Sequence, residues 1–159
     1  MKMLLTTIAV ACGLFAAGAL AQTSTQEFVT KVAISDMFEV QSSKLATKKG
    51  NANISAFPER MVKDHTKTSQ ELKAMVGKAK AKLPTALDAE HEKKLAQLQK
   101  LSGDEFNSAY ASIQIQAHEE AVKLFTSYSS SGDDAELKAW AANTLPALKE
   151  HLQHAQKLK

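Results

Sequence analysis

Cysteine and arginine are almost missing from this sequence, and each absence excludes a class of protein. Cys12 is the only cysteine among 159 residues, so no disulfide can form within one chain. Arg60 is the only arginine, and the lysines are spread over every segment. Nucleic-acid-binding proteins usually gather Arg and Lys on one face beside aromatic residues. Despite a formal net charge of +3, we therefore expect no nucleic-acid partner.

Motifs of several common enzyme classes are also missing. The chain has no Gly-x-Ser-x-Gly turn, no glycine-rich phosphate loop and no His-Glu-x-x-His pair. No segment alternates polar and apolar residues for long enough to predict a β-strand. These absences favour an all-α protein that binds a ligand or partner rather than an enzyme.

One long apolar run is present, and it lies at the N-terminus. Residues 1–21 combine the basic Lys2, an apolar stretch and the small-residue end Ala19-Leu20-Ala21. This is the pattern of a secretory signal peptide, and we predict cleavage after Ala21 and a periplasmic or secreted mature protein. Cleavage removes Cys12 and leaves residues 22–159 as one domain.

Two alternatives for this N-terminal segment fit less well. A membrane anchor needs about 20 consecutive apolar residues, and the run is shorter and lacks a stop-transfer pattern after it. Lipidation at Cys12 usually requires a large aliphatic residue three positions earlier, where the chain has Ala9. We therefore expect no transmembrane span in the mature protein.

Capping residues divide residues 22–159 into four long helices and one short helix. Ser24-x-x-Glu27 and Ser102-x-x-Glu105 are capping-box patterns, in which both side chains bond free amides at a helix start. Pro58 suits the first turn of a helix, where its missing N–H has no partner anyway. We predict helix A over 25–48, helix B over 55–82, a short helix opened by Thr85 and ending near 100, helix C from 102, and helix D opened by Asp133.

The four long helices have similar lengths, roughly 35–40 Å at ~1.5 Å per residue. Apolar residues recur along each of them at spacings of three and four, so each helix has one face for a shared core. We therefore predict an all-α, antiparallel up-and-down four-helix bundle, with the short helix between helices B and C.

Each long helix carries one polar residue able to bind a metal near the middle of its inward face: Glu39, His65, His118 and His151. Imidazole binds zinc, copper and iron, and ligands from facing helices meet in bundle cores. We predict that these four residues bind a transition metal (Zn, Cu or Fe) or another small ligand. A buried polar network that only fixes helix register, and wrongly phased helix faces, are the alternatives.

Other charged residues and histidines near these positions receive simpler interpretations. Asp64 and Glu150 adjoin two of the four predicted ligands, about 100° round the helix, and we interpret them as solvated charges rather than partners of the imidazoles. His91 and His154 fall off the inward faces, and we interpret them as surface residues.

Five blocks of the sequence, taken in order, resemble the bacterial exported family called domain of unknown function 4142: FVTKVAISDMFEVQSSKLA, MVKDHTKTSQELK, LPTALDAEH, IQIQAHEEAVKLF and LPALKEHLQHAQKL. The resemblance spans roughly residues 26–158. It implies export and a ferritin-like fold, and it places Glu39, His65, His118 and His151 at positions that look like the family's motif. The family has no established activity, so the resemblance implies no reaction.

Di-iron ferritin-like proteins use Glu-x-x-His on two of their helices. This chain has no Glu-x-x-His, and its inward faces offer one carboxylate and three imidazoles. We therefore expect a mononuclear metal site rather than oxygen-activating chemistry. The alternative function is that of an envelope stress or interaction protein with a cell-envelope partner, in which the histidines are structural.

Overall fold

The chain forms an all-helical bundle in the computed structural model, which describes residues 23–51, 54 and 56–158. The predicted signal peptide, its cleavage site and Ser55 lie outside these described residues. Over the described ranges there are five α-helices and no strand: α1 Thr25–Lys49, α2 Ala56–Met75, α3 Ala89–Lys100, α4 Gly103–Ser131 and α5 Ala135–Ala155. None of these helices combines the length and the hydrophobicity needed to cross a membrane.

Side chains cap three of the helix starts. The Ser24 hydroxyl accepts a hydrogen bond from the Glu27 amide of α1, which is the serine half of the predicted capping box. Ser102 stands at the N-cap of α4, but its side chain makes no capping bond, so the second predicted capping box is wrong. Helix α3 is capped by Asp88 rather than opened by Thr85, and α5 is capped by Asp134 rather than Asp133. In both corrected cases the carboxylate accepts from the amide three residues later, which is the contact an N-cap residue makes.

Helix α2 ends at Met75, before the predicted end at Lys82. Gly77 has a low helix propensity, and Lys80 has a φ of +52°, in the left-handed region that interrupts a right-handed helix. The side chain of Gln26 then holds the backbone of Lys82, because its amide bonds both the N–H and the carbonyl there at 2.9 Å. The chain that follows α2 therefore lies against the start of α1 at Lys82.

Hydrogen bonds between the helices define their relative directions. Thr25 at the start of α1 bonds Tyr128 near the end of α4, and Ser43 near the end of α1 bonds Tyr110 near the start of α4. Helices α1 and α4 are therefore antiparallel. Helices α2 and α5 are also antiparallel, as shown by the pairs Asp64–His151 and Glu71–Trp140.

Each long helix thus packs between two antiparallel neighbours, in the ring order α1, α2, α5, α4. Helices α2 and α4 lie on a diagonal and run in the same direction. The segment 76–102, which includes α3, carries the chain back along the bundle between them, and α3 packs on α1 and α4. The bundle and its short extra helix agree with the prediction, whereas the simple up-and-down order does not. The reason is the long connection 76–102, which returns the chain to the end of the bundle where α2 began, so α4 runs parallel to α2. The connections between α1 and α2 and between α4 and α5 are too short to do this, and those pairs are antiparallel.

Two buried apolar clusters lie toward the two ends of the bundle. One includes Phe28, Leu72 and Tyr128, and the other includes Met61 and Tyr110. Burial of each large apolar side chain stabilises the fold by roughly 1.5–3 kcal/mol. Between the clusters lies a layer of buried polar residues: Asp36, Glu39, His65, Gln114, His118 and His151. These six buried polar residues therefore lie near mid-height of the bundle, between the two apolar clusters.

Candidate metal centre

His65 of α2, His118 of α4 and His151 of α5 meet in the polar layer. Their side chains are buried, with relative exposures of 4%, 1% and 2%. One ligand nitrogen from each lies within 4.8 Å of those of the other two, and the ring centroids are 5.4 to 5.7 Å apart. Each histidine stands near mid-height, so the three imidazoles reach one level from three helices.

The backbone of its own helix fixes the orientation of His118. The Nδ1–H of His118 donates to the carbonyl of Gln114, one turn earlier, at 2.8 Å. This bond leaves the lone pair on Nε2. Burial, followed by the nearby charge of His65, lowers the pKa of His118 to about 3. The imidazole is therefore neutral at physiological pH, the form that binds a metal.

A buried carboxylate holds His65. The Nδ1–H of His65 donates to Oδ1 of Asp36 at 2.8 Å, and Oδ2 of Asp36 accepts from the hydroxyls of Thr68 and Ser69 at 2.9 and 3.2 Å. Burial lowers the pKa of His65, but the hydrogen bond and charge of Asp36 outweigh it, and the net pKa is raised. Asp36 was not among the predicted site residues, although its carboxylate lies one turn before Glu39 on the same helix.

A second carboxylate holds His151. The Nε2–H of His151 donates to Oδ2 of Asp64 at 2.9 Å, and Arg60 donates to the same oxygen at 3.3 Å and to Glu150 at 2.9 Å. Burial lowers the pKa of His151. Burial raises the pKa of Asp64, but the hydrogen bonds from His151 and Arg60 lower it by more. The net pKa of Asp64 is therefore lowered. The prediction that Asp64 is only a solvated charge is therefore wrong.

Each of the three imidazoles thus has one bonded nitrogen and one free nitrogen. The free atoms are Nε2 of His65, Nε2 of His118 and Nδ1 of His151, and all three are buried with no hydrogen-bond partner among the described residues. A buried polar atom without a partner costs about 1–3 kcal/mol, and three together demand a physical reason. A metal ion with bonds of ~2.0–2.1 Å supplies one, after a closing shift of under about 1 Å per ring.

Glu39 lies beside this group rather than in it. Its side chain is 1% exposed, and its Oε2 accepts from Nε2 of Gln114 at 2.7 Å. Its Oε1 has no partner among the described atoms, and burial raises its pKa, opposed chiefly by the charge of His65. The structure therefore brings together three of the four predicted ligands. His91 and His154 lie outside the three-histidine group.

The three buried imidazoles could hold a metal ion. Metal-binding histidines usually donate the other ring N–H to a carboxylate or a backbone carbonyl, which fixes the tautomer and the ring orientation. All three imidazoles here follow that rule, two through carboxylates and one through a carbonyl. Three nitrogen ligands suit zinc, copper or iron, and they leave one position of a tetrahedral ion free.

Comparison with known proteins gives a family and no activity. The family model described as Domain of unknown function (DUF4142) matches residues 12–158. No curated protein and no solved structure matches the chain. Because the family model covers nearly the whole sequence, this chain belongs to the DUF4142 family.

Proposed function

We propose that this protein binds one transition-metal ion, zinc, copper or iron, through His65, His118 and His151. The observation that carries the proposal is the convergence of three buried imidazoles, with one ligand nitrogen of each within 4.8 Å of those of the other two. Each ring also has a buried nitrogen without a hydrogen-bond partner among the described residues. Each ligand is already held through its other nitrogen, so few side-chain rotamers are lost when the ion binds. Binding is the proposed role, and the geometry assigns no reaction.

Metal binding should stabilise the fold, because the three ligands are brought together only in the folded state. An ion at 100 times its Kd adds about 2.7 kcal/mol to the free energy of unfolding. Thermal melting of metal-stripped protein, with and without zinc or copper, measures this effect directly. Elemental analysis of protein purified from its native compartment identifies the ion. A melting curve unchanged by every metal would refute the proposal.

Variants separate the three-histidine group from the other histidines. His118→Leu should abolish metal-dependent stabilisation because it removes one of three ligands. His91→Gln is the matched control, because His91 bonds Asp88 at the start of α3 and lies outside the group. We expect the control to bind metal as the wild type does. Metal binding retained by His118→Leu would show that the ion binds elsewhere, and equal loss in both variants would show that the loss is not specific to the three-histidine group.

The competing function is a protein of the cell envelope in which the same histidines only hold the helices in register. The pairs His65–Asp36 and His151–Asp64 favour it, since each joins two different helices. It predicts that substitutions change the melting temperature equally with and without metal. It gives no reason for three buried imidazoles to converge, each with a nitrogen that lacks a partner among the described residues, and for this reason we rank metal binding first.

The same proposal includes a ferritin-like fold and export. One long crossover in an otherwise antiparallel four-helix bundle is the connection found in ferritin-like proteins, and the segment 76–102 supplies it here. Residues 1–21 have the composition of a signal peptide. Mass spectrometry of the protein from a periplasmic extract should find a chain that begins at Gln22. An intact N-terminus would contradict export by cleavage.

A further inference from the structure

A cavity of about 620 Å³ opens between α1 and α4 and penetrates the bundle. All four long helices contribute to its lining, and the start of α3 lines its outer part. Its volume falls within the ~300–1,000 Å³ of typical small-molecule sites. The cavity is therefore large enough for an organic molecule, and not only for a water molecule or a single ion.

The walls of this cavity are largely apolar. Val32 and Phe38 of α1, Phe125 of α4 and Leu148 of α5 line it, and all four are core side chains with relative exposures of 2–4%. The half-buried Leu124 continues the wall toward the mouth. Apolar atoms that face empty space lose dispersion contacts, and an apolar ligand restores them without displacing a hydrogen bond. Apolar cavities in proteins accordingly stay dry and bind hydrocarbons such as benzene.

The polar side chains at the inner end of the cavity are already bonded to one another. The buried carboxylate of Asp36 accepts hydrogen bonds from His65 at 2.8 Å, from Thr68 at 2.9 Å and from Ser69 at 3.2 Å. A cationic ligand group would have to displace one of these three donors, and an anionic group would lie beside a like charge. His65 also lines this end, but contact with the apolar walls requires nothing from its free nitrogen.

The charged side chains near the mouth favour neither sign of charge. Four of them bond a neighbour in the same helix or its cap, at 2.6 to 3.0 Å, in the pairs Lys31–Glu27, Lys94–Glu90, Asp88–His91 and Glu120–Gln116. The remaining charged residue of the lining, Lys123, is exposed to solvent. Solvated groups of both signs contribute little binding energy. Selection must therefore come from the apolar walls.

From the apolar walls and the bonded polar groups, we propose that the cavity binds a small, uncharged apolar molecule. A charged ligand would lose its hydration on entry and would find at the inner end only a carboxylate that three donors already occupy. The inference does not rest on the proposed metal site, because the walls provide the contacts and His118 and His151 do not line the cavity. It adds a second kind of ligand, chosen by its lack of charge.

The uncharged dye N-phenylnaphthylamine, whose fluorescence rises in apolar surroundings, is the probe for the metal-stripped full chain. We expect saturable binding of one dye per chain. Three competitors share a rigid naphthalene ring and differ in charge: methylnaphthalene, naphthoate and naphthylmethylammonium. Methylnaphthalene should displace the dye with an affinity at least ~10-fold higher than that of either charged competitor. The absence of saturable dye binding, or a charged competitor that binds as tightly as methylnaphthalene, would overturn the proposal.

Alanine variants test the location of the dye. Ala117 and Ala121 line the cavity from successive turns of α4, whereas Ala139 of α5 is exposed and does not line it. Ala121→Phe should weaken dye binding by at least ~10-fold because the added ring fills part of the cavity. Ala117→Phe should do the same, and it replaces the first variant if circular dichroism shows that Ala121→Phe does not fold. Ala139→Phe should bind the dye as the wild type does. Wild-type affinity in the folded cavity variants, or equal loss in all three, would overturn the proposal.

Discussion

Replacement of His118 by leucine should stabilise the metal-free protein, although it removes a buried residue with a hydrogen bond. The lost bond from Nδ1 to the carbonyl of Gln114 contributes about 0.5–1.5 kcal/mol. The carbonyl of Gln114 still accepts a backbone hydrogen bond within α4, so loss of the imidazole leaves no acceptor unpaired. Nε2 of His118 is buried without a partner, and removing it recovers about 1–3 kcal/mol. The net expectation is a gain of about 1 kcal/mol in the free energy of unfolding.

Urea unfolding of metal-stripped wild type and His118→Leu measures this gain. With a urea m-value of about 1–3 kcal/mol/M, the midpoint should rise by roughly 0.5 M with m unchanged. Leucine is the informative replacement because His118→Ala would also leave a cavity, which costs about 2–5 kcal/mol whatever the histidine does. A loss of more than about 1 kcal/mol in the leucine variant would refute the reasoning and show that His118 is structural.

Zinc should reverse the order of the two proteins. The wild type gains about 2.7 kcal/mol at 100 times the Kd, whereas the variant has lost a ligand and gains little. The wild type is then the more stable protein with zinc and the less stable one without it. A stability order that stays the same in both conditions would contradict a metal site at these residues.

Three further substitutions test the neighbouring contacts. His65→Leu should lower the free energy of unfolding of the metal-free protein by about 3–5 kcal/mol in urea melts, because it leaves the Asp36 carboxylate buried without its imidazole partner. An unchanged free energy of unfolding would show that the hydroxyls of Thr68 and Ser69 alone satisfy that carboxylate. Asp36→Asn should weaken zinc binding by about 10–100-fold in a competition titration, while unchanged affinity would exclude an orienting role. Tyr110→Phe removes the 2.8 Å bond to Ser43 and no hydrogen bond to the three histidines, so it should cost about 1 kcal/mol in unfolding and leave zinc affinity unaltered.

The helices and their inward faces could be predicted from the sequence because the signals are local. Three- and four-residue spacing placed His65, His118 and His151 on core faces, and all three are buried there. The end of α2 was misplaced because the apolar pattern continues past Gly77, whereas the backbone turns at Lys80. Gly77 and the left-handed backbone of Lys80 lie just beyond that boundary, and no periodic pattern encodes them.

The contacts around the imidazoles could not be predicted because they join residues far apart in sequence. Asp64 precedes His65 along the chain yet bonds His151 on α5, and His65 bonds Asp36 on α1. Which carboxylate meets which ring depends on helix order and rotation. The assumed up-and-down order made α2 and α4 neighbours, so it could bring His65 to the level of His118 but could not describe their diagonal placement.

The uneven packing of the four long helices gives the metal proposal a mechanical consequence. Helix α1 packs extensively on α2 and α4 on α5, whereas contacts between these two hairpins are sparser. His65 belongs to the first hairpin, and His118 and His151 belong to the second. An ion bound to all three histidines would link the α1–α2 hairpin to the α4–α5 hairpin. Separating the two hairpins would then require breaking a coordination bond.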